Sequence, residues 1–188
     1  ARMLNQPAVP SLEAGTSYPQ ARALPPFDLV DTKGAAASPA TLRGRPTLVF
    51  FGFTHCPDVC PTTLALLASV QKQAALNDER MAGLKVALIS VDPERDTPEQ
   101  LGGYIAAFGG DLIGLTGDPS EIVKATRSFG VAAARVDLGG GNYTMDHSAA
   151  VFVLDSQARI VAVFTPPLSA AALTRDLARL APVLNPQA

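Results

Sequence analysis

The stretch Thr47-Leu-Val-Phe-Phe-Gly-Phe-Thr-His-Cys56-Pro-Asp-Val-Cys60-Pro61 decides the fold. Thr47 to Phe53 is a nearly continuous apolar run, the pattern of a strand covered on both faces. Pro61 opens a helix, where its missing N–H is harmless. Leu64, Leu67, Val70 and Ala74 follow at spacings of three and four, one apolar stripe ending near Asn77. Both cysteines therefore fall where a buried strand gives way to a helix. Unpaired N–H groups and the positive end of the helix dipole favour thiolate there, which predicts a lowered cysteine pKa. If residues 57–60 are already helical, the two thiols stand four apart on one face. Such a pair can clamp one soft metal ion or close a disulfide. A purely structural bridge over so short a loop adds only about 2 kcal/mol, so a functional pair is favoured. The C-x-x-x-C spacing alone does not separate metal binding from redox chemistry.

Working outward, Phe27 to Val30 and the turn Asp31-Thr-Lys-Gly34 read as half of a hairpin. Leu84 to Val91 is a second buried strand. Thr97-Pro-Glu-Gln100 is a capping box before the stripe Leu101, Tyr104, Ile105 and Phe108. Asp118-Pro-Ser-Glu121 starts another helix, carrying Ile122, Ala125 and Phe129. Val131 to Val136 is a candidate strand, and Asp137 to Asn142, with Gly139, Gly140 and Gly141, a candidate mobile loop. Ser148 to Leu154 and Arg159 to Phe164 are strands around a turn. A final helix, capped by Ser169, should stop near Pro182. The order predicts an α/β protein resembling the thioredoxin-like fold: a central mixed sheet flanked by helices, with an N-terminal β-hairpin extension. Residues 1–24, polar and proline-containing, read as a tether or extended arm, and residues 25–185 as the folded domain.

Composition narrows the function classes. The chain has 188 residues, 47% of them hydrophobic, with a formal charge of −2. That supports one domain with a real core and argues against disorder and against general nucleic-acid binding. Two cysteines exclude a disulfide-dense scaffold and a four-cysteine zinc module. No run approaches the ~18 apolar residues of a membrane helix, and no secretory signal is visible.

The second of two histidines, His147, lies in Tyr143-Thr-Met-Asp-His-Ser148, after the glycines and before a predicted strand. By analogy with thioredoxins, the segment entering that strand faces the cysteine pair. Thioredoxins carry a proline there; this chain has none between Pro119 and Pro166. An imidazole can then face the thiols, and the position favours a ligand role. Two thiolates and one imidazole suit copper or zinc, and as three ligands match Cu(I). Cu(II) wants a fourth. The glycine loop is expected to let His147 swing in and out.

These residues resemble the Sco/SenC family of thioredoxin-fold copper chaperones for cytochrome c oxidase assembly. Phe51 to Leu64, Ile89 to Glu99 and Asp146-His147-Ser148 carry the likeness, with Ile113 to Gly117 a weaker block. The resemblance implies copper, as Cu(I) or Cu(II), held by Cys56, Cys60 and His147. It implies delivery to the dinuclear copper site of the oxidase copper subunit, with other copper donors or thiol reductants as further partners. It also implies a periplasmic protein, or one of the mitochondrial intermembrane space, anchored through a segment absent from this chain.

Other groups are weighed on chemistry alone. His55 reads as an exposed loop imidazole. Asp92 is either a weak oxygen ligand or partner-facing charge, or a turn residue before Pro93. Asp58 suits the first turn of the helix. Asp146 alternates away from His147, and Met145 packs. Glu94, Arg95 and Asp96 read as a solvated charged turn. A thiol-disulfide oxidoreductase acting on the oxidase copper-subunit cysteines would use the same two thiols, Cys56 and Cys60, but has no need of His147. A thiol peroxidase would want Thr or Ser three residues before its reactive cysteine, where this chain has Phe53 or Pro57. A structural zinc site is compatible with the donor set.

Overall fold

The computed structural model describes residues 8–185. Ten strands and four helices follow one another as β1 (Thr16–Ala23), β2 (Leu29–Asp31), β3 (Ala36–Ala37), β4 (Thr47–Gly52), α1 (Val59–Asn77), β5 (Lys85–Ser90), α2 (Pro98–Ala106), β6 (Leu112–Thr116), α3 (Pro119–Phe129), β7 (Ala133–Gly139), β8 (Asn142–His147), β9 (Val151–Leu154), β10 (Arg159–Phe164) and α4 (Ala170–Leu184). Eight strands form one sheet in the order β1-β10-β9-β4-β5-β6-β2-β3. β4, β5 and β6 are parallel; β9 runs antiparallel to β4, and β2 antiparallel to β6. This is the mixed-sheet, thioredoxin-like arrangement, with the β2–β3 hairpin as its extension.

β4 is central, and every one of its residues is buried. Alternation along it assigns the two faces. A Cβ on Gly52 would point at Cys60 of α1, whereas Phe51 meets Phe129 of α3 and Phe152 of β9 edge to face. α1 and α3 therefore cover opposite faces, and α4 packs beside α1. The ends of parallel strands β4 and β5, with the start of α1, form the edge where sites gather in α/β sheets.

Several expectations change. α1 begins at Val59, two residues before Pro61, which takes the third helical position; its N–H would be unpaired there too. β6 was not anticipated: Gly114 breaks the apolar run, and its neighbour Leu101 fills the space a side chain would need. α4 continues past Pro182 to Leu184 because Leu180, Ala181 and Leu184 stay buried and the Leu184 carbonyl accepts from Ser156 N–H at 2.8 Å.

The tether reading of residues 1–24 is also corrected in part. Residues 16–23 form the edge strand β1, antiparallel to β10. Ahead of it, the buried Asp176 carboxylate accepts the N–H groups of Glu13, Ala14 and Gly15 at 2.7, 2.8 and 3.1 Å. Polar composition hid this, because the arm is held by backbone groups and not by an apolar stripe. Residues 1–7 lie outside the described residues.

The predicted mobile loop is a tight hairpin. β7 and β8 pair from Ala133↔His147 to Gly139↔Asn142. Gly140 and Gly141 make the turn with φ of 63° and 83°, a backbone that suits two glycines and matches the strand twist. His147 closes the hairpin at its base, and the glycines sit at the far tip. The glycine turn is therefore not a hinge for the imidazole.

Candidate metal centre

Cys56 lies in the loop between β4 and α1, half-buried, with its N–H donating to the Phe53 carbonyl at 3.3 Å. Cys60 is the second residue of α1 and has no exposed surface. Both are free thiols. Burial dominates at Cys60 and raises its pKa well above the ordinary thiol range, and the neighbouring Cys56 and Asp96 push the same way. A hydrogen bond from the backbone at Phe53 opposes this and is outweighed. The expected lowering by the helix N-terminus thus fails at Cys60, because desolvation of the charged form exceeds the dipole's attraction.

His147 comes to one of the two thiols, that of Cys60. Its Nε2 is 3.7 Å from Cys60 Sγ. Its Nδ1 lies 2.9 Å from the Ser148 carbonyl, which can only accept, so Nδ1 carries the proton. Nε2 then has its lone pair free toward sulfur. A ligating histidine is commonly oriented in this way, with its second nitrogen donating to a carbonyl. Phe50 and Phe53 pack edge to face on the ring at 6.0 and 5.7 Å, fixing its plane and limiting water around Nε2. The site thus brings the imidazole nitrogen to the Cys60 sulfur with Cys56 next to Cys60, although the three donor atoms do not all lie within 4.8 Å of one another; sulfur and imidazole are donors that fit copper.

Gly52 makes this possible. A Cβ there would stand 2.9 Å from Cys60 Sγ, 3.0 Å from Phe50 Cε1 and 3.1 Å from Leu88 Cδ1. The missing side chain is the space the sulfur occupies.

The loop bearing Cys56 is held from the turn after β5. Asp96 is fully buried, which corrects its reading as part of a solvated turn. Its carboxylate accepts from Thr54 N–H at 3.0 Å, Thr54 Oγ at 2.5 Å and Ser90 Oγ at 2.7 Å. The strand end and the loop offer it these donors, so burial leaves it satisfied. Glu94 alone of the three stays mainly exposed. Asp92 is buried as well, accepting from Tyr143 Oη at 2.8 Å and Arg95 Nε at 2.5 Å. The Tyr143 hydroxyl has a raised pKa, from burial first and the Asp92 contact second.

His55 is exposed, and its Nδ1 is 3.2 Å from Thr54 Oγ. His55, Asp92 and Asp96 bring one donor atom each within 4.8 Å of one another. Both carboxylates are already engaged by hydroxyls, an arginine and a backbone N–H, so they serve structure first. Asp58 is the exposed N-cap of α1, and its side chain makes no capping bond. Met145 is half-buried against the core, and Asp146 is exposed.

Sequence reasoning missed Gly52, Asp96 as a buried anchor, Tyr143, and Tyr104. The Tyr104 hydroxyl is buried without a hydrogen-bond partner among the described residues. Its pKa is raised to about 12, by burial and then by the charges of Cys60 and Cys56. A helical stripe shows Tyr104 as packing material and gives no sign of where its hydroxyl ends.

Comparison with known proteins places the chain in one family. Residues 15–182 match the model of the SCO1/SenC family. "Protein SCO1 homolog 1, mitochondrial" of Arabidopsis thaliana is 36% identical over 153 residues, covering 80% of this chain and 45% of that protein. The chain therefore spans less than half of that relative. The structure of Bradyrhizobium japonicum ScoI with copper bound is 41% identical with a TM-score of 0.74, over 83% of this chain and 98% of that one. The structure of Arabidopsis thaliana ScoI with copper bound gives 34% identity and a TM-score of 0.78, over 82% and 95% of the two chains.

Proposed function

The chain belongs to the SCO1/SenC family, and from that premise we propose that it is a copper metallochaperone holding one Cu(I) or Cu(II) through Cys56, Cys60 and His147. The observation that carries the reading is His147 Nε2 beside Cys60 Sγ at 3.7 Å, with Nδ1 already committed to the Ser148 carbonyl. A thiol pair alone serves either copper or redox chemistry; an imidazole with a free lone pair beside it favours metal. Solved relatives named as copper-bound support the choice of copper over zinc.

Loading Cu(I) converts each protonated thiol to a thiolate and releases its proton. Cys60, buried and protonated, gives up its proton to copper in exchange for a positive ion that offsets the lost solvation. Cys56, half-exposed, is the sulfur a donor or acceptor protein can reach first, so copper enters and leaves through it. Two thiolates are enough to retain Cu(I), with His147 able to add a third bond, whereas Cu(II) requires His147 together with a further donor such as water. We assign delivery to the dinuclear copper site of cytochrome c oxidase from the family. The location follows the same proposal: the periplasm, or the mitochondrial intermembrane space, and a relative from Arabidopsis thaliana is named as mitochondrial. No helix among the described residues is long and apolar enough to cross a membrane.

A second reading is favoured by the unequal exposure of the two thiols. In a thiol-disulfide exchange, Cys56 as thiolate attacks a substrate disulfide, forming a mixed disulfide and releasing one substrate thiolate. Cys60, losing its proton, then attacks Cys56 Sγ; the Cys56–Cys60 bond forms and the second substrate thiolate leaves. The substrate gains two electrons and the two thiolates take up protons. The oxidase copper-subunit cysteines are the proposed substrate.

Anaerobic titration of the reduced protein with Cu(I) tests the first reading. One copper per chain is expected, lost in Cys56→Ser and in Cys60→Ser. His147→Ala should abolish the sulfur-to-Cu(II) charge-transfer colour and weaken Cu(I) less. Unchanged copper binding in Cys56→Ser would overturn the proposal.

A further inference from the structure

Among the described residues the hairpin that carries His147 makes no ladder bond to the eight-stranded sheet, and β7 and β8 pair with each other. Something else must hold it over the thiols. Several of the contacts that do so meet at one residue. Tyr143, in β8, donates its hydroxyl to Asp92 Oδ1 at 2.8 Å. Its carbonyl accepts from Arg95 Nη1 at 3.0 Å. Its ring lies between two guanidinium groups, Arg95 at 3.7 Å and Arg135 at 3.8 Å from the centroid; two cations at that distance occupy the two faces. Arg95 in turn donates to Asp92 Oδ2 at 2.5 Å, and Arg135 reaches Glu94 at 3.4 Å. The hairpin is thus clamped to the turn after β5, and that same turn holds the Cys56 loop through Asp96.

We propose that Tyr143 is a positioning residue for the metal centre: its clamp on Asp92 and Arg95 holds the hairpin so that His147 Nε2 stays beside Cys60. The proposal rests on the copper reading for its purpose, and on the contacts above for its content. A two-stranded ribbon tilts about its base, and His147 stands at that base opposite Ala133. Tilting turns the His147 backbone and swings its ring off Cys60 Sγ and away from Phe50 and Phe53. The thiols do not move with it. Cys60 is fixed by α1 and the space over Gly52, and Cys56 by the loop that Asp96 anchors. Opening the clamp therefore converts a three-donor site into a two-sulfur site. That conversion selects against Cu(II) and leaves Cu(I) bound. A partner that competes for Tyr143 or Arg95 would open it during transfer.

The test compares wild type with Tyr143→Phe, which deletes one hydroxyl and keeps the stacked ring, and with Arg135→Ala, which removes one stacked cation and keeps the Asp92 bond. Metal-free NMR is the first readout. In Tyr143→Phe the His147 ring resonances should move toward solvent-exposed values, and their cross-peaks to Phe50 and Phe53 should weaken, with a smaller change in Arg135→Ala. With copper added, Tyr143→Phe should still bind one Cu(I) per chain. Its Cu(II) affinity should fall, with the about ten- to a hundredfold cost of losing a ligand's own hydrogen-bond partner as the upper bound, and its charge-transfer band should weaken toward that of His147→Ala. His147 resonances that coincide with wild type in Tyr143→Phe would overturn the clamp. Failure of the wild-type protein to bind copper would instead overturn the copper reading, while the metal-free spectra still decide the clamp.

Discussion

Replacing Gly52 by Ala tests how the fold makes room for a sulfur. The added Cβ meets Cys60 Sγ at 2.9 Å, Phe50 Cε1 at 3.0 Å and Leu88 Cδ1 at 3.1 Å. Ordinary carbon contacts lie at about 3.5–4.0 Å, so each neighbour must retreat by roughly half an ångström or more. Phe50 and Leu88 are 0% and 1% exposed and Cys60 is 0% exposed, leaving nowhere easy to go. Overpacking of this kind costs about 1–3 kcal/mol. For a domain of this size that is a fall in Tm of roughly 2–12 °C, at about 2–4 °C per kcal/mol. The sulfur is also pushed along α1 and away from its place beside His147, so copper affinity should fall in the same variant. Thermal unfolding and competitive Cu(I) titration read the two effects. Gly83→Ala is the control: its Cβ would approach Arg45 Cδ at 2.7 Å, a nominally worse contact, but with an exposed and flexible side chain. It should change stability by less than about 0.5 kcal/mol. A Gly52→Ala protein with wild-type Tm and copper affinity would refute the claim that Gly52 is the sulfur's space.

Three further outcomes are expected. Because burial raises the Cys60 pKa, that thiol stays protonated in the metal-free protein at neutral pH, and copper must displace its proton. Apparent Cu(I) affinity should therefore rise with pH by about tenfold per unit from this group alone; a flat profile between about pH 6 and 8 would contradict a protonated Cys60. Asp176→Ala removes a buried carboxylate that accepts three N–H groups, and should lower stability by about 3 kcal/mol in urea titration while releasing β1 to hydrogen exchange. Tyr104→Phe deletes a buried hydroxyl with no partner among the described residues, so the metal-free protein should lose no stability; a loss above about 1 kcal/mol would mean that the hydroxyl is bonded.

Much of this was legible in the sequence because the decisive signals are local. The apolar run into Cys56, and the stripe Leu64, Leu67, Val70 after it, place a strand, a loop and a helix with little reference to the rest of the chain. The nearness of His147 to the thiols was reached only through fold analogy, since 87 residues separate it from Cys60. Where the reading failed, tertiary partners overrode local character. Asp96 looks like a surface charge until Thr54 and Ser90 are brought to it. Gly139, Gly140 and Gly141 look mobile until β8 returns along β7. The arm before β1 looks like a tether because its attachment runs through backbone N–H groups to Asp176, more than 160 residues away. Cys60 looks like an activated thiol because the helix dipole is visible in sequence and complete burial is not.

X-ray absorption at the copper edge of the loaded protein tests the central claim most directly. The account predicts two sulfurs and one imidazole nitrogen around Cu(II) in the wild type, and two sulfurs without the imidazole around Cu(I) in His147→Ala, which no longer holds Cu(II) through sulfur. A copper shell that lacks sulfur, or one whose imidazole signal persists unchanged in His147→Ala, would contradict it.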